Sequence, residues 1–320
     1  MEPRFHMPGL EKFGYSIEKR YLFSFYVYMN SVLKIKQRYS DRYSDVFSIK
    51  GYAAHFCMIR LQSFLTFINV VLRNKDYVSA NCLLRMLGDS VAVFKLVYME
   101  PDLNYRIIRH SLYVLDGCDE NLKVLEENSI KEGHLSEEER KKANLLIKES
   151  REHRNKLKSE IQGFLDHSPL KKKDELAFSR IVEDKNWKFK EFKNYNKKEI
   201  IKNQFKWKEL YEKIDYVEDD GKYSLLSYLS QYAHGLSMSN LLIELDEQNC
   251  DDIIGVALGL LDKMNGYILD FYPEDLLYIN KGLLEPGTRD KLLGCFDEKH
   301  RPSIAEWNRM FNKDLIDKKK

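Results

Sequence analysis

The stretch that decides the fold is DYVSANCLLRMLGDSVAVFKLVYME, residues 76–100, which Pro101 follows directly. Its apolar side chains recur every three or four residues, which is the period of one face of an α-helix. They are Ala80, Leu84, Leu87, Val91, Phe94 and Tyr98. Because proline cannot continue a helix, the pattern predicts a helix that ends before residue 101.

The same helical period recurs along most of the chain, and the alternation typical of strands is essentially absent. Ser136 with Glu139 predicts the start of a highly charged helix that runs to about residue 164, and Ser303 with Glu306 predicts the start of the last helix. We therefore expect an all-α, multi-helix bundle of roughly eight to eleven helices. The other periodic segments are residues 16–39, 51–73, 104–128, 222–245 and 251–271.

The composition favours long helices and a large core. The 320 residues include only 15 glycines and 7 prolines, below the usual share of about 12%, so turns are scarce. Hydrophobic residues make up 43% and charged residues 32%, which is too apolar for disorder and too charged for a membrane bundle. Sandwiches, barrels and Rossmann-type repeats are therefore disfavoured.

Cysteine usage and the N-terminal stretch bear on location. The five cysteines are widely spaced and form no C-x-x-C pair, which favours reduced thiols. The stretch MEPRFHMPGLEKFGYS lacks the apolar region of a signal peptide. The longest charge-free apolar run near it covers 13 residues, whereas a membrane-spanning helix needs about 20. We expect a cytoplasmic protein that does not bind a membrane.

Charge is distributed unevenly. Residues 140–216 hold 22 Lys and Arg against 13 Asp and Glu, which leaves a net charge of −7 for the remainder. We expect an N-terminal helical part at 1–130, a basic helical insertion or hairpin at 131–220, and C-terminal helices at 221–320 that complete the bundle. A basic segment suits nucleic acid or an acidic protein partner, and equally an acidic part of the same protein.

Several well-known catalytic motifs are absent from the sequence. It contains no P-loop, no dinucleotide-binding glycine motif, no H-E-x-x-H and no G-x-S-x-G. The Glu-x-x-His pairs of a di-iron bundle are also missing. We expect neither a metal nor a cofactor.

A polar stripe lies beside the apolar face of the helix predicted at residues 76–100. In it Arg85 and Asp89 stand at i and i+4, among small and apolar neighbours. An arginine there keeps its charge and holds a rigid fork of donors, which can bind a carboxylate and a phosphate or substrate anion. The alternative is a structural salt bridge between two helices.

A second polar stripe lies on the helix predicted at residues 222–245. His234 can act as an acid, a base or a phosphate donor near neutral pH, and Ser230 one turn away can fix its tautomer. The alternative is a histidine that only packs in the core or at the surface. The stripe consists of Tyr223, Ser227, Ser230, His234 and Ser237.

Lysines alternate with aromatic residues between residues 187 and 208. This pairing lets a protein neutralise phosphates and stack bases. An amphipathic segment that buries its aromatic rings and exposes its lysines shows the same alternation of residue types. The candidate nucleic-acid-binding residues are Trp187, Lys188, Lys190, Lys193, Lys206 and Trp207. Arg106, Arg109 and His110 form a smaller basic group that is open to the same two interpretations.

The two stripes carry a resemblance to a known family. The first stripe is Leu83-Leu84-Arg85-x-x-x-Asp89. After a helical middle with Trp187, the second is Tyr223-x-x-x-Ser227-x-x-Ser230-x-x-x-His234-Gly235. Over about residues 51–245 the chain resembles a bacterial family of uncharacterised helical proteins, related to the HEPN (higher eukaryotes and prokaryotes nucleotide-binding) superfamily. The resemblance implies an HEPN-like core, often dimeric, with a charged helical insertion. In many relatives such a core is associated with RNA cleavage or antiviral defence.

Active HEPN ribonucleases carry an arginine, four to six residues and then a histidine on one helix. No arginine stands in that position before any of the eight histidines of this chain. The resemblance therefore implies a composite site, with Arg85 supplied from another helix.

Two functional hypotheses follow. In the first, the protein acts on RNA or another nucleic acid, with His234 as acid or base, Arg85 as phosphate clamp, Asp89 orienting Arg85, and Ser230 or Tyr223 as supporting hydrogen-bonding residues. In the second, the protein is a non-enzymatic interaction or regulatory protein, and its polar stripes are structural. A third reading, an enzyme acting on a small anion or nucleotide, stays open. A homodimer is compatible with each of them.

Overall fold

A computed structural model of the chain describes residues 16–127, 136–214, 225–233 and 247–316. These ranges contain thirteen α-helices and no strand, only an isolated antiparallel bridge between Phe189 and Gln204. The expected all-α, multi-helix fold class is therefore confirmed. The helices are α1 (Ile17–Arg38), α2 (Ile49–Asn69), α3 (Tyr77–Tyr98), α4 (Leu103–Glu127), α5 (Glu137–Asp166), α6 (Pro169–Lys173), α7 (Glu175–Glu183), α8 (Trp207–Glu212), α9 (Leu225–Ala233), α10 (Glu247–Phe271), α11 (Leu276–Leu283), α12 (Pro286–Gly294) and α13 (Ile304–Ile316).

Side-chain caps fix where several helices begin. Ser16, Ser48 and Asp76 each accept a hydrogen bond from the backbone N–H three residues later, at the starts of α1, α2 and α3. Such caps satisfy backbone donors that have no partner inside the helix. The capping box predicted at Ser136 is present at the start of α5. Ser303 and Glu306 form the reciprocal pair predicted for the last helix.

The chain divides into two compact units. Unit 1 comprises Met1–Met99 and Trp207–Lys320, and unit 2 comprises Glu100–Lys206. Both boundaries expected from the sequence, after residues 130 and 220, lie outside the described residues. The three-part division therefore stays a prediction.

The core of unit 1 is formed by α1, α2, α3 and α10, which pack on one another. All six apolar side chains that predict α3 are buried. Two buried tyrosines tie α1 to α2, since the Tyr21 hydroxyl donates to the Phe64 carbonyl at 2.8 Å and that of Tyr28 to the Cys57 carbonyl at 2.9 Å. Buried hydroxyls that keep a partner avoid the cost of desolvation without a hydrogen bond.

Unit 2 contains α4 to α7. Helix α5 packs on α4, yet only Ile161 and Leu165 of α5 are buried, while Leu145 and Leu146 are each 55% exposed. The charged helix therefore packs by a thin stripe. Its solvated faces are stabilised in part by ion pairs one turn apart, such as Lys141 with Glu137.

One segment of the described residues, Ile49–Asn74, is long and apolar enough to span a membrane by length and composition. It consists of α2 and a short π-helical extension. Core helices of soluble proteins meet the same criterion. Here α2 packs against both α1 and α3, as a core helix does.

Candidate functional site

The Arg85 and Asp89 side chains form the ion pair that their spacing on α3 predicts. Arg85 Nη1 lies 2.7 Å from Asp89 Oδ1, and the two side chains are 16% and 28% exposed. The pair is therefore half-buried, where an ion pair is less screened than at an open surface.

Tyr211 of α8 completes this pair. Its hydroxyl accepts a hydrogen bond from Arg85 Nη1 at 3.0 Å and donates one to Asp89 Oδ1 at 3.1 Å. The hydroxyl reaches the pair because Gly88 lies between the two charged residues, and a Cβ at position 88 would collide with the Tyr211 ring and hydroxyl. The polar stripe of α3 thus binds α8 through one shared hydroxyl.

Aromatic rings flank the Arg85 guanidinium. Its central carbon lies 5.7 Å from the centroid of the Trp207 ring and 5.5 Å from that of Tyr211. Both distances lie within the range of a cation–π interaction. Trp207, which the sequence pattern grouped with the nucleic-acid-binding lysines, therefore contacts the Arg85 site. We define the Arg85 site as Arg85, Asp89, Trp207 and Tyr211.

Burial controls the ionisation of the Arg85 site. It raises the pKa of Asp89 above the usual carboxyl value, although the charge of Arg85 and the Tyr211 hydroxyl act in the opposite direction. Burial and the neighbouring Asp89 charge raise the pKa of Tyr211, so its hydroxyl stays protonated at neutral pH. A guanidinium has five N–H donors, and the contacts with Asp89 and Tyr211 both use Nη1. The geometry suits an anion that binds the other donors, and it equally suits a structural tie between α3 and α8.

Helix α9, which carries Ser230, packs on α3. The Tyr77 hydroxyl of α3 lies 2.8 Å from the Tyr228 hydroxyl, which lies 3.1 Å from that of Tyr232. Burial and the bond to Tyr232 raise the pKa of Tyr228 to about 12, so this hydroxyl stays neutral at physiological pH. Ser230, two positions from Tyr228 and from Tyr232 in the sequence, is half-exposed.

His234 and Tyr223 lie outside the described residues. The structure brings together the helices that carry Arg85 and Ser230. The composite Arg85 and His234 site stays a prediction.

The basic and aromatic segment of unit 2 forms a compact loop region that we call the basic lobe, residues 185–206. It holds eight lysines and two glutamates. Trp187, Phe189 and Tyr195 are buried, and the Trp187 indole N–H donates to Asp116 Oδ2 at 3.0 Å. Burial of these rings is what the amphipathic interpretation of the segment expects.

The lysines of the basic lobe differ in their surroundings. Lys193 is exposed and pairs with Glu191, and Lys185 pairs with Asp119. Lys206 is exposed as well, whereas Lys188 and Lys190 are half-buried. Lys188 Nζ lies 5.4 Å from the Trp187 ring centroid, and Lys190 Nζ lies 5.6 Å from that of Phe205.

Two buried asparagines hold the lobe in shape. Asn203 accepts a hydrogen bond from the Glu191 N–H at 3.1 Å and donates to the Glu191 carbonyl at 3.0 Å. Asn186 donates to the Tyr195 hydroxyl at 3.2 Å. Side-chain bonds of this kind, made away from solvent, fix the backbone of a loop whose regular structure is limited to one 3-10 turn and one isolated bridge.

The small basic group on α4 is largely internal. Arg109 is buried, with Nε 3.4 Å from Glu100 Oε2, Nη1 donating to the Trp187 carbonyl at 3.2 Å, and its guanidinium 4.1 Å from the Phe189 ring centroid. Burial lowers the pKa of Arg109 to about 10, which leaves it charged at neutral pH. His110 is also buried. Arg109 therefore stabilises the basic lobe from α4, through its contacts with Trp187 and Phe189.

Three residues that shape these sites are not among the candidate site residues predicted from the sequence, although Phe205 lies in the predicted lysine and aromatic segment. They are Tyr211, Gly88 and Phe205. A glycine in the interior of a strongly predicted helix is the one local signal among them, because it is unfavourable there unless close approach requires it.

No group of three or more His, Cys, Asp or Glu that could hold a metal ion occurs among the described residues. No family model, curated protein or solved structure matches this chain. The fold and the two sites describe a helical protein with a half-buried arginine site and a basic lobe. The HEPN relationship stays a prediction.

Proposed function

We propose that this protein acts on RNA in the bacterial cytoplasm, as a divergent HEPN-like ribonuclease or a defence-associated factor. The observation that carries the proposal is the basic lobe, where eight lysines and two glutamates occupy 22 residues of a loop fixed by buried asparagines. Lysines that neutralise phosphates supply most of the affinity in sequence-independent binding of nucleic acids. A fixed loop binds with a smaller loss of entropy than a flexible one.

The Arg85 site of unit 1 supplies the chemistry in this proposal. Arg85 clamps a phosphate oxygen, and Asp89 orients the guanidinium. His234 acts as acid or base, with Ser230 and Tyr223 as supporting hydrogen-bonding residues. Two observations support this assignment: α9 packs on α3, and Arg85 is half-buried beside a carboxylate that fixes its fork.

Cleavage of a labelled single-stranded RNA by the purified chain tests the proposed activity. We expect His234→Ala and Arg85→Ala each to abolish cleavage while RNA binding persists. His153→Ala is the matched control, because His153 is exposed on α5. Circular dichroism confirms that each variant is folded. Full cleavage by a folded His234→Ala variant would exclude the composite site.

A second candidate function is a non-enzymatic interaction protein, in which the basic lobe binds an acidic protein partner. The observation that favours it is the Arg85 site itself. The charge of Arg85 is already matched by Asp89, and Tyr211 and Trp207 enclose the guanidinium. In that case, we expect Arg85→Ala to lower the melting temperature and leave RNA intact in every assay.

A homodimer fits either candidate, and light scattering of the purified chain tests it.

A further inference from the structure

The bridge between Phe189 and Gln204 joins two segments of the basic lobe. The Phe205 N–H donates to the Lys188 carbonyl and the Lys190 N–H to the Asn203 carbonyl, both at 2.9 Å. This pattern makes Phe189 and Gln204 directly opposed residues on one face. The neighbouring side chains of Lys188, Lys190 and Phe205 are half-exposed, and we call these three side chains the outer face of the lobe.

The Phe189 face of the bridge is the inner one. Phe189 is 1% exposed and packs on the Arg109 guanidinium and on the Tyr105 ring of α4. The Lys188, Lys190 and Phe205 side chains are half-exposed instead.

Phe205 is the aromatic ring on this outer face. Trp187 and Phe189 are buried, and Phe192 stacks on Tyr105 with centroids 5.8 Å apart and planes 23° apart. Beside the Phe205 ring lies an ammonium group, Lys190 Nζ, 5.6 Å from its centroid. A half-exposed ring next to lysines is the arrangement that binds a base by stacking and its phosphate by charge.

We infer that the outer face of the basic lobe binds single-stranded nucleic acid, with one base stacked on Phe205 and the adjoining phosphates neutralised by Lys188 and Lys190. The inference rests on the proposed function, because it names the ligand class of the same lobe. In a duplex the bases are stacked inside the helix and cannot pack on a side chain, so the site discriminates single strands from duplexes.

Contacts of Glu191 affect both the charge and the backbone of the basic lobe. The acid closest in sequence to this face, Glu191, pairs with Lys193, so the charge of Lys193 is partly neutralised. Asn203 holds the Glu191 backbone through both of its amide atoms. The backbone next to Lys190 is therefore held in place before a ligand binds, which reduces the entropy lost on binding.

Binding of the full chain to a fluorescent 20-nucleotide oligouridine and to a hairpin duplex of equal length, measured by anisotropy, tests the inference. Phe205→Leu keeps apolar bulk and removes the ring, and we expect it to weaken single-strand binding by roughly tenfold or more. Duplex binding, which uses the lysines alone, should change less than twofold. Phe205→Trp should retain or strengthen single-strand binding. Phe164→Leu is the matched control, since Phe164 is 44% exposed on α5 of the same unit.

Photocrosslinking of a 5-bromouridine oligonucleotide adds a readout that does not depend on stability. We expect the crosslinked peptide to contain Phe205. If both RNAs bind and Phe205→Leu weakens neither, or both equally, or if the crosslink maps elsewhere, the inference fails while the proposed RNA binding stands. If neither RNA binds, both fail.

Discussion

The Tyr211 hydroxyl lies against the α-carbon of Gly88, in space that any larger residue at position 88 would fill. From there it bridges Arg85 and Asp89, one turn apart on α3. The glycine, the ion pair and the tyrosine thus depend on one another. A glycine that is unfavourable for the helix permits the contact that joins α3 to α8.

Alanine at Gly88 should destabilise the protein, although alanine is the better helix former by roughly 0.5–1 kcal/mol. The added methyl group displaces Tyr211 and breaks its bonds to Arg85 and Asp89. Urea denaturation gives the free energy of unfolding. The matched control is Gly255→Ala on α10, where nothing would contact the new Cβ, and there we expect stabilisation. In a Tyr211→Ala background the loss at position 88 should disappear, and a loss of the same size would show that Tyr211 is not its cause.

The raised pKa of Asp89 predicts a pH dependence of stability. A carboxyl group whose pKa is higher in the folded state holds its proton more tightly there, so its contribution to stability falls as pH rises above the unfolded value of about 4. Asp89→Asn cannot ionise. The difference in unfolding free energy between the wild type and this variant should therefore shift towards the variant as pH rises from 4 to 7. A difference that is constant over this range, or that shifts towards the wild type, contradicts the assignment.

The elements that could be predicted from the sequence are those set by local chemistry. The apolar period of α3 and the caps at Ser136 and Ser303 depend on residues a few positions apart, and the structure confirms them. The Arg85 and Asp89 pair is local in the same sense. Tyr211 was not predicted because it reaches Arg85 from 126 residues away, on the six-residue helix α8, which is too short to show a period.

The basic lobe shows a second limit of sequence reasoning. Trp187 and Phe205 both stand beside lysines, yet one ring is buried against α4 and the other lies on the outer face. In the sequence, Trp187 and Phe205 each have a lysine beside them, so the local pattern does not distinguish the two rings. What separates them is packing against residues distant in sequence, such as the contact of Trp187 with Asp116, which leaves no periodic signal.

Because Trp187 is buried and its indole N–H donates to Asp116, changes at this pair should affect stability more than RNA affinity. Asp116→Ala leaves a buried donor without an acceptor, which costs roughly 1–3 kcal/mol. Asp116→Asn keeps an acceptor oxygen and is the matched control. Thermal unfolding measures the first effect and anisotropy the second. A large loss of RNA affinity in a stable Trp187→Phe variant would instead place this ring in the nucleic-acid interface.

Salt dependence of RNA binding should separate the lysines of the basic lobe. The logarithm of the binding constant falls with the logarithm of salt concentration, with a slope of about −0.7 per phosphate contact for single strands. Lys188→Ala and Lys190→Ala should each reduce the slope by about that amount, because both lysines lie on the face with Phe205. Lys193→Ala should change it less, since Lys193 pairs with Glu191. Conversely, Glu191→Gln releases Lys193 and should raise the affinity. Slopes in all four variants that equal the wild-type slope would mean that RNA contacts a different surface.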